Sequence, residues 1–162
     1  KYLPIAYKDG KNVEARIQMS VAALEAGIAF NNASVTLIHG MSRPIGALFH
    51  VAHGLSNAML MKECLSFALP GAYNRFAILG REINVATKDD SDEVASKKFL
   101  KAIEEITKTC ETPTLEQFGI NKEAFMNAIP KMAHDAMESG SPQNTMRDIK
   151  ESDLVKMYKN LW

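Results

Sequence analysis

Three of the chain's four histidines, His39, His50 and His53, fall inside one apolar, glycine-marked segment from Ile38 to Ala58, IHGMSRPIGALFHVAHGLSNA. Burying an imidazole for packing alone is costly, because the neutral ring carries one donor and one acceptor that both need partners. The same nitrogens are good ligands for divalent transition metals, so the cluster is a candidate metal site. The alternative is three ordinary histidines at helix ends.

Spacing restricts which of them could share an ion. As one straight helix, the fourteen residues from His39 to His53 would rise about 21 Å at roughly 1.5 Å per residue. Ligating nitrogens stand about 2.1 Å from their metal, so the chain must fold back between these two. Pro44 lacks a backbone donor and disfavours helix at Arg43, whereas Gly46 and Gly54 admit bends, so a break at Pro44 is expected. His50 and His53, at i and i+3, would share a helical face without any fold-back. Spacing alone leaves both pairs open.

The elements that must carry these residues read as helices nearly throughout. Asn12 or a neighbour caps a long amphipathic segment with apolar residues at Val13, Ile17, Val21, Leu24 and Ile28, ending near Asn31 and Asn32. Ser34 is the expected cap of the next helix, which carries Val35, Ile38 and His39 toward Pro44, with a short helical piece through Leu48 beyond. Further helices are expected from Leu55 to Leu69, stopped by Pro70 and Gly71, and from Tyr73 toward Val85. An acidic entry at Asp89 to Asp92 favours the start of a helix through Val94, Phe99, Ile103 and Ile106. Asn121 caps a helix through Phe125, Ile129 and Met132 that carries Pro130. The last helix runs from about Glu151 to Leu161, introduced by Asp148 or Ser152. Strand-like alternation is nowhere sustained, which makes the fold class all-α, a helical bundle-like domain with no sheet.

At 162 residues the chain is one domain's worth, enough to bury about two thirds of its unfolded surface. Cys64 and Cys110 lack CxxC spacing and read as reduced thiols of a cytoplasmic protein. With 19 basic and 19 acidic residues there is no electrostatic footprint for nucleic acid, and no apolar run reaches the length of a membrane span. A small molecule or another protein is the expected partner.

The run GIAFNNASVTLIHGMSRPIGALFHVAHGLSNAML resembles the C-terminal signature of the iron-containing, or group III, alcohol dehydrogenases. AFNNA leads in, HG opens a helix, Pro and Gly follow, and a second HG with NAML closes it. The resemblance extends more loosely through NRFAILGREI to the tail SGSPQNTMRDIKESDLVKMY. It implies a C-terminal helical domain of the dehydroquinate synthase-like kind over residues 1–162, and a two-domain parent. An N-terminal α/β domain, absent from this chain, would bind NAD or NADP. The helical domain would hold Fe2+, or Zn2+ in some members, in the cleft between the two.

Carried over residue by residue, the resemblance makes His39 and His53 metal ligands and leaves His50 beside the site. The family's remaining ligands, an aspartate and a histidine four residues apart, have no counterpart here. Two ligands are half of a four-coordinate site, so this chain is expected to hold metal weakly and to be inactive by itself. Phe30 falls on an aromatic of the substrate channel. Arg43 stands where many members have a non-ligand histidine near the nicotinamide. It could face a substrate carboxylate, or be a helix-end arginine paired with an acid. His134 reads as a surface residue. The implied reaction is NAD(P)-dependent oxidation of a primary or secondary alcohol, or reduction of the aldehyde or ketone, with the metal polarising the substrate oxygen. Self-association into a homo-oligomer is implied as well. The alternatives are a zinc-dependent polyol dehydrogenase, a phosphate-eliminating relative in the wider superfamily, and a non-catalytic helical interaction module.

Overall fold

The structure, a computed structural model, describes residues 1–162. It contains helices and no strand: α1 (Leu3–Lys8), α2 (Val13–Ala33), α3 (Leu37–Phe49), α4 (His53–Ala68), α5 (Tyr73–Glu82), α6 (Asp92–Thr109), α7 (Lys122–Glu138) and α8 (Glu151–Lys159). Single 3-10 turns occur at Leu69–Gly71 and Pro142–Asn144.

Helix starts follow local chemistry. The side chains of Asn12, Ser91 and Asn121 each accept from the backbone N–H three residues on, satisfying an orphan donor of α2, α6 and α7. α8 starts at Glu151 as expected, but neither Asp148 nor Ser152 caps it: the N-cap is Lys150, whose N–H donates to Asp153 Oδ2 at 3.0 Å. α5 stops at Glu82 rather than near Val85, because Asn84 takes a left-handed conformation with φ of 60°.

The main core lies between α3, α4, α7 and α8. Leu37, Met41 and Ile45 of α3 meet Leu60 and Cys64 of α4, Phe125, Ile129 and Met132 of α7, and Leu154, Met157 and Tyr158 of α8. Tyr158 is fully buried, and its hydroxyl is satisfied by donating to the Met41 carbonyl at 2.7 Å. Burial also pushes the Cys64 thiol pKa up, which keeps it protonated and inert.

Two expectations about α3 are corrected. Pro44 does not break it. The helix runs through to Phe49, with Met41, Pro44 and Ile45 all buried. Proline in a helix interior costs about 3 kcal/mol, and burial of that apolar face outweighs it, since one large side chain contributes about 1.5–3 kcal/mol. Nor does Ser34 cap it: Ser34 ends α2 with φ of 64°, and the N-cap of α3 is Thr36. The first-turn N–H of Leu37 is instead satisfied from across the fold by Thr145 Oγ1 at 3.2 Å.

The apolar stripe of α2 takes no part in this core. Val13 and Leu24 are 68% and 66% exposed, Ile17, Val21 and Ile28 are exposed as well, and Ala15 is the sole buried residue of the helix. α1 was not anticipated from the sequence; it lies against α2 and touches the turn after α6 through Tyr7 Oη, which donates to Glu111 Oε2 at 2.7 Å.

α5 and α6 pack closely through alanines. An added Cβ on Gly80 would stand 2.7 Å from the Ala95 carbonyl oxygen. The loop between them is organised by Asp90, which accepts from the Thr87 N–H at 2.7 Å and from Lys98 Nζ at 2.7 Å. These bonds hold its carboxyl below the usual range, the Lys98 hydrogen bond contributing most. A lowered carboxylate pKa gives stability that is complete above the ordinary value of about 3.9 and is lost as pH falls through the folded value. Asp90→Asn is therefore expected to lower the melting temperature at pH 7, with wild type and variant converging below about pH 3.9. A difference that persists unchanged in acid would show that the charge of Asp90 is not what braces the loop.

Candidate metal centre

The fold-back occurs after α3, at His50 to Ala52. His50 takes the left-handed conformation, φ 55° and ψ 29°, that ends the helix, and buried Val51 anchors the reversal. These residues double back along the last turn of α3, because the Val51 carbonyl oxygen lies 3.2 Å from where a Cβ on Gly46 would stand. α4 then starts at His53 itself. This brings the His39 and His53 rings to a centroid separation of 5.2 Å, inclined by 51°. His50 forms the turn and does not line the cavity that the other two share.

Each helix presents an i,i+4 pair to that cavity: His39 and Arg43 from α3, His53 and Asn57 from α4. Phe30, Asn31 and Asn32 from the last turn of α2, with Ser34 and Val35, complete an open cavity of about 750 Å³. The backbone behind both histidines is braced alike. Buried Ser42 and Ser56 donate their hydroxyls to the carbonyls of His39 and His53, at 3.2 and 3.0 Å.

The His39 pKa is lowered, first by burial and then by the neighbouring His53 and Arg43, so its ring is neutral with a free lone pair. His53 is exposed, and its Nε2 lies 3.2 Å from Asn57 Nδ2. Two convergent imidazoles fit a borderline divalent ion such as iron(II) or zinc. They are also all that this chain offers, since it has no cluster of three or more His, Cys, Asp or Glu side chains placed to hold a metal.

Arg43 donates through Nη1 to Ser141 Oγ at 3.0 Å. None of the chain's ion pairs includes it, so the acid partner considered from sequence is not present. Ser141 sits on the tail that crosses α3, where Asn144 also donates to the Val35 carbonyl at 3.0 Å. The crossing depends on Gly40. A Cβ there would stand 2.7 and 2.8 Å from ring carbons of Pro142. Gly40→Ala is thus expected to destabilise the protein by about 1–3 kcal/mol, the range for overpacking, and to loosen Ser141 from Arg43. Thermal unfolding checks it, and an unchanged melting temperature would contradict this seating of the tail. Sequence reasoning missed Asn57 and Ser141. Asn57 carried a signal, its place four residues after His53; Ser141, 98 residues from Arg43, carried none. His134 is on the surface as expected, near Glu151 at 3.6 Å.

The site is thus two convergent imidazoles on one open wall of an all-helical domain. The profile of the Fe-containing alcohol dehydrogenase family, C-terminal, matches residues 1–162. The chain belongs to the iron-containing alcohol dehydrogenase family. It is 28% identical over 147 residues to an NADPH-dependent butanol dehydrogenase of Clostridium saccharobutylicum, covering 90% of this chain and 37% of that protein. With an NAD-dependent methanol dehydrogenase of Bacillus methanolicus the identity is 29% over 161 residues, covering 99% and 41%. Among solved structures, that of a 1,3-propanediol oxidoreductase superposes with a TM-score of 0.90 at 26% identity, covering 98% of this chain and 41% of that one. The chain thus spans about two fifths of the length of these relatives.

Proposed function

We infer that this domain forms the metal-binding wall of an iron-dependent alcohol dehydrogenase, with His39 and His53 as two of the metal's ligands. The observation that carries the reading is their convergence, at 5.2 Å between ring centroids, in a cavity that also holds Phe30 and Arg43. When bound, a divalent metal supplies Lewis acidity at the substrate oxygen and a nicotinamide dinucleotide supplies the redox chemistry. His39 presents a neutral nitrogen, so a bound ion's positive charge is left for the substrate. Phe30, 56% exposed at the cavity mouth, offers an apolar face to a small alcohol or aldehyde and displaces water from it. Arg43 keeps guanidinium donors free after its bond to Ser141 and suits a carboxylate or other anionic group on the substrate. The remaining ligands and the dinucleotide site belong to the rest of a longer parent, which acts as a homo-oligomer in the cytoplasm. Relatives named for NADPH and for NAD leave both cofactors open to it. No helix of this chain is by itself long and apolar enough to cross a membrane.

The test is metal analysis of the full-length protein, purified with and without oxygen, together with alcohol-dependent reduction of NAD+ and NADP+. Bound iron and oxygen-sensitive activity are expected. Tight zinc with oxygen-insensitive activity would transfer the reading to a zinc polyol dehydrogenase. A protein that stays metal-free and inactive after reconstitution with either ion would end it in favour of a non-catalytic module.

A further inference from the structure

We propose that Asn57 is a positioning residue for His53: its side-chain amide fixes the imidazole in the tautomer whose Nε2 bears a lone pair, holding that nitrogen ready for a divalent cation. This role rests on the metal-binding reading of the same cavity. Asn57 lies one helical turn beyond His53 on α4, and its Nδ2 stands 3.2 Å from His53 Nε2. An amide nitrogen only donates, so Nε2 accepts and the ring proton sits on Nδ1. The opposite orientation of the amide would point Oδ1 at Nε2 and require a proton there.

Burial decides between the two orientations. As placed, Asn57 Oδ1 is buried with no hydrogen-bond partner. Turning the amide would put the NH2 group in that position, stranding two donors in place of one acceptor. A buried group without a partner bears its full desolvation penalty, and orphaned N–H groups are rarer in proteins than under-satisfied carbonyls. The Nδ2-to-Nε2 orientation is the cheaper one. The Nδ1 proton has an outlet too, because the exposed His53 can donate it to water.

His39 has no such partner. Four residues beyond it stands Arg43, whose Nη1 is engaged by Ser141. The two halves of the site are therefore prepared differently: His39 is kept neutral by its surroundings, and His53 is oriented by a hydrogen bond. A cation arriving at Nε2 exchanges one hydrogen bond for ligation with no change of tautomer. In metal sites the tautomer is commonly fixed through the nitrogen that does not ligate; here it is selected in the empty site through Nε2 itself, and the amide gives way when a cation binds.

The experiment uses the full-length protein with 15N-labelled histidine, stripped of metal by a chelator and held at about pH 8, where histidine is neutral. His53 is assigned by the signals lost in His53→Ala. In wild type the His53 Nε2 resonance is expected in the unprotonated range. Asn57→Asp keeps the side chain's shape but can only accept, so it should move that resonance into the protonated range. Asn57→Ala should give a mixture of tautomers, with the His39 signals unmoved in both variants. A protonated Nε2 in wild type, or a tautomer indifferent to Asn57→Asp, overturns the proposal. Zinc titration of the wild type separates the two readings. No zinc uptake with an Asn57-dependent tautomer removes the metal-binding reading and leaves tautomer selection standing. Zinc uptake with an Asn57-independent tautomer overturns the selection alone.

Discussion

Substituting either His39 or His53 by alanine in the full-length protein is expected to abolish metal retention and turnover while leaving the apo-protein's unfolding midpoint nearly unchanged. Losing a hydrogen-bond partner behind a ligand typically costs about 10–100-fold in metal affinity or activity; losing the ligand itself should cost more. Stability should be spared because both rings border an open cavity and lie outside the buried core. Truncations away from core, caps and buried networks usually change stability by less than about 0.5 kcal/mol. His50→Ala is the control. His50 ends α3 in a left-handed conformation and does not line the cavity, so metal content should survive its loss. Metal analysis and steady-state kinetics on the three variants decide the matter. Wild-type metal and turnover in His39→Ala or His53→Ala would sink the metal assignment.

Phe125→Ala is expected to be the most damaging single change to the fold, costing about 3–5 kcal/mol out of a typical total of about 5–15 kcal/mol. Phe125 is 0% exposed, and its ring centroid lies 5.5 Å from that of Phe49, 6.0 Å from Trp162 and 6.2 Å from Tyr158. The loss should also reach the site. Phe49 is the last residue of α3, immediately before the reversal that starts α4 at His53. A cavity beside Phe49 therefore frees the turn that sets the spacing of the two histidines. Urea unfolding of the full-length protein measures the first effect and metal affinity the second. A destabilisation below about 1 kcal/mol, the ordinary cost of a point substitution, would show that this region repacks and that α7 does not fix the turn.

Much of the helical inventory was legible because it rests on interactions within a few residues. Asn12 and Asn121 cap the helices they were read to cap, the acidic entry to α6 falls in place with Ser91 as its cap, and the Pro70–Gly71 stop of α4 lies within a residue or two. Pro44 shows where local rules lose. Its cost is paid locally, whereas the gain from burying the Met41, Pro44 and Ile45 face comes from packing against α4, α7 and α8, the last two far along the chain. The stripe on α2 shows another limit: periodicity reveals that one face of a helix is apolar, and does not reveal whether the same chain covers it.

By itself the sequence determined that the protein is helical, that two histidines fourteen residues apart can share an ion only if the chain reverses between them, and that its motifs are those of the iron-containing alcohol dehydrogenases. Caps, breakers and periodicity suffice for this because their energies arise between near neighbours in the chain. Only the tertiary structure decided where the reversal falls, that the rings converge at 5.2 Å, that Asn57 holds one of them, and that Ser141 reaches Arg43 from the tail. Those outcomes depend on how α3, α4 and the tail pack against one another. Packing is a balance over many distant side chains, and no single stretch of the chain contains it.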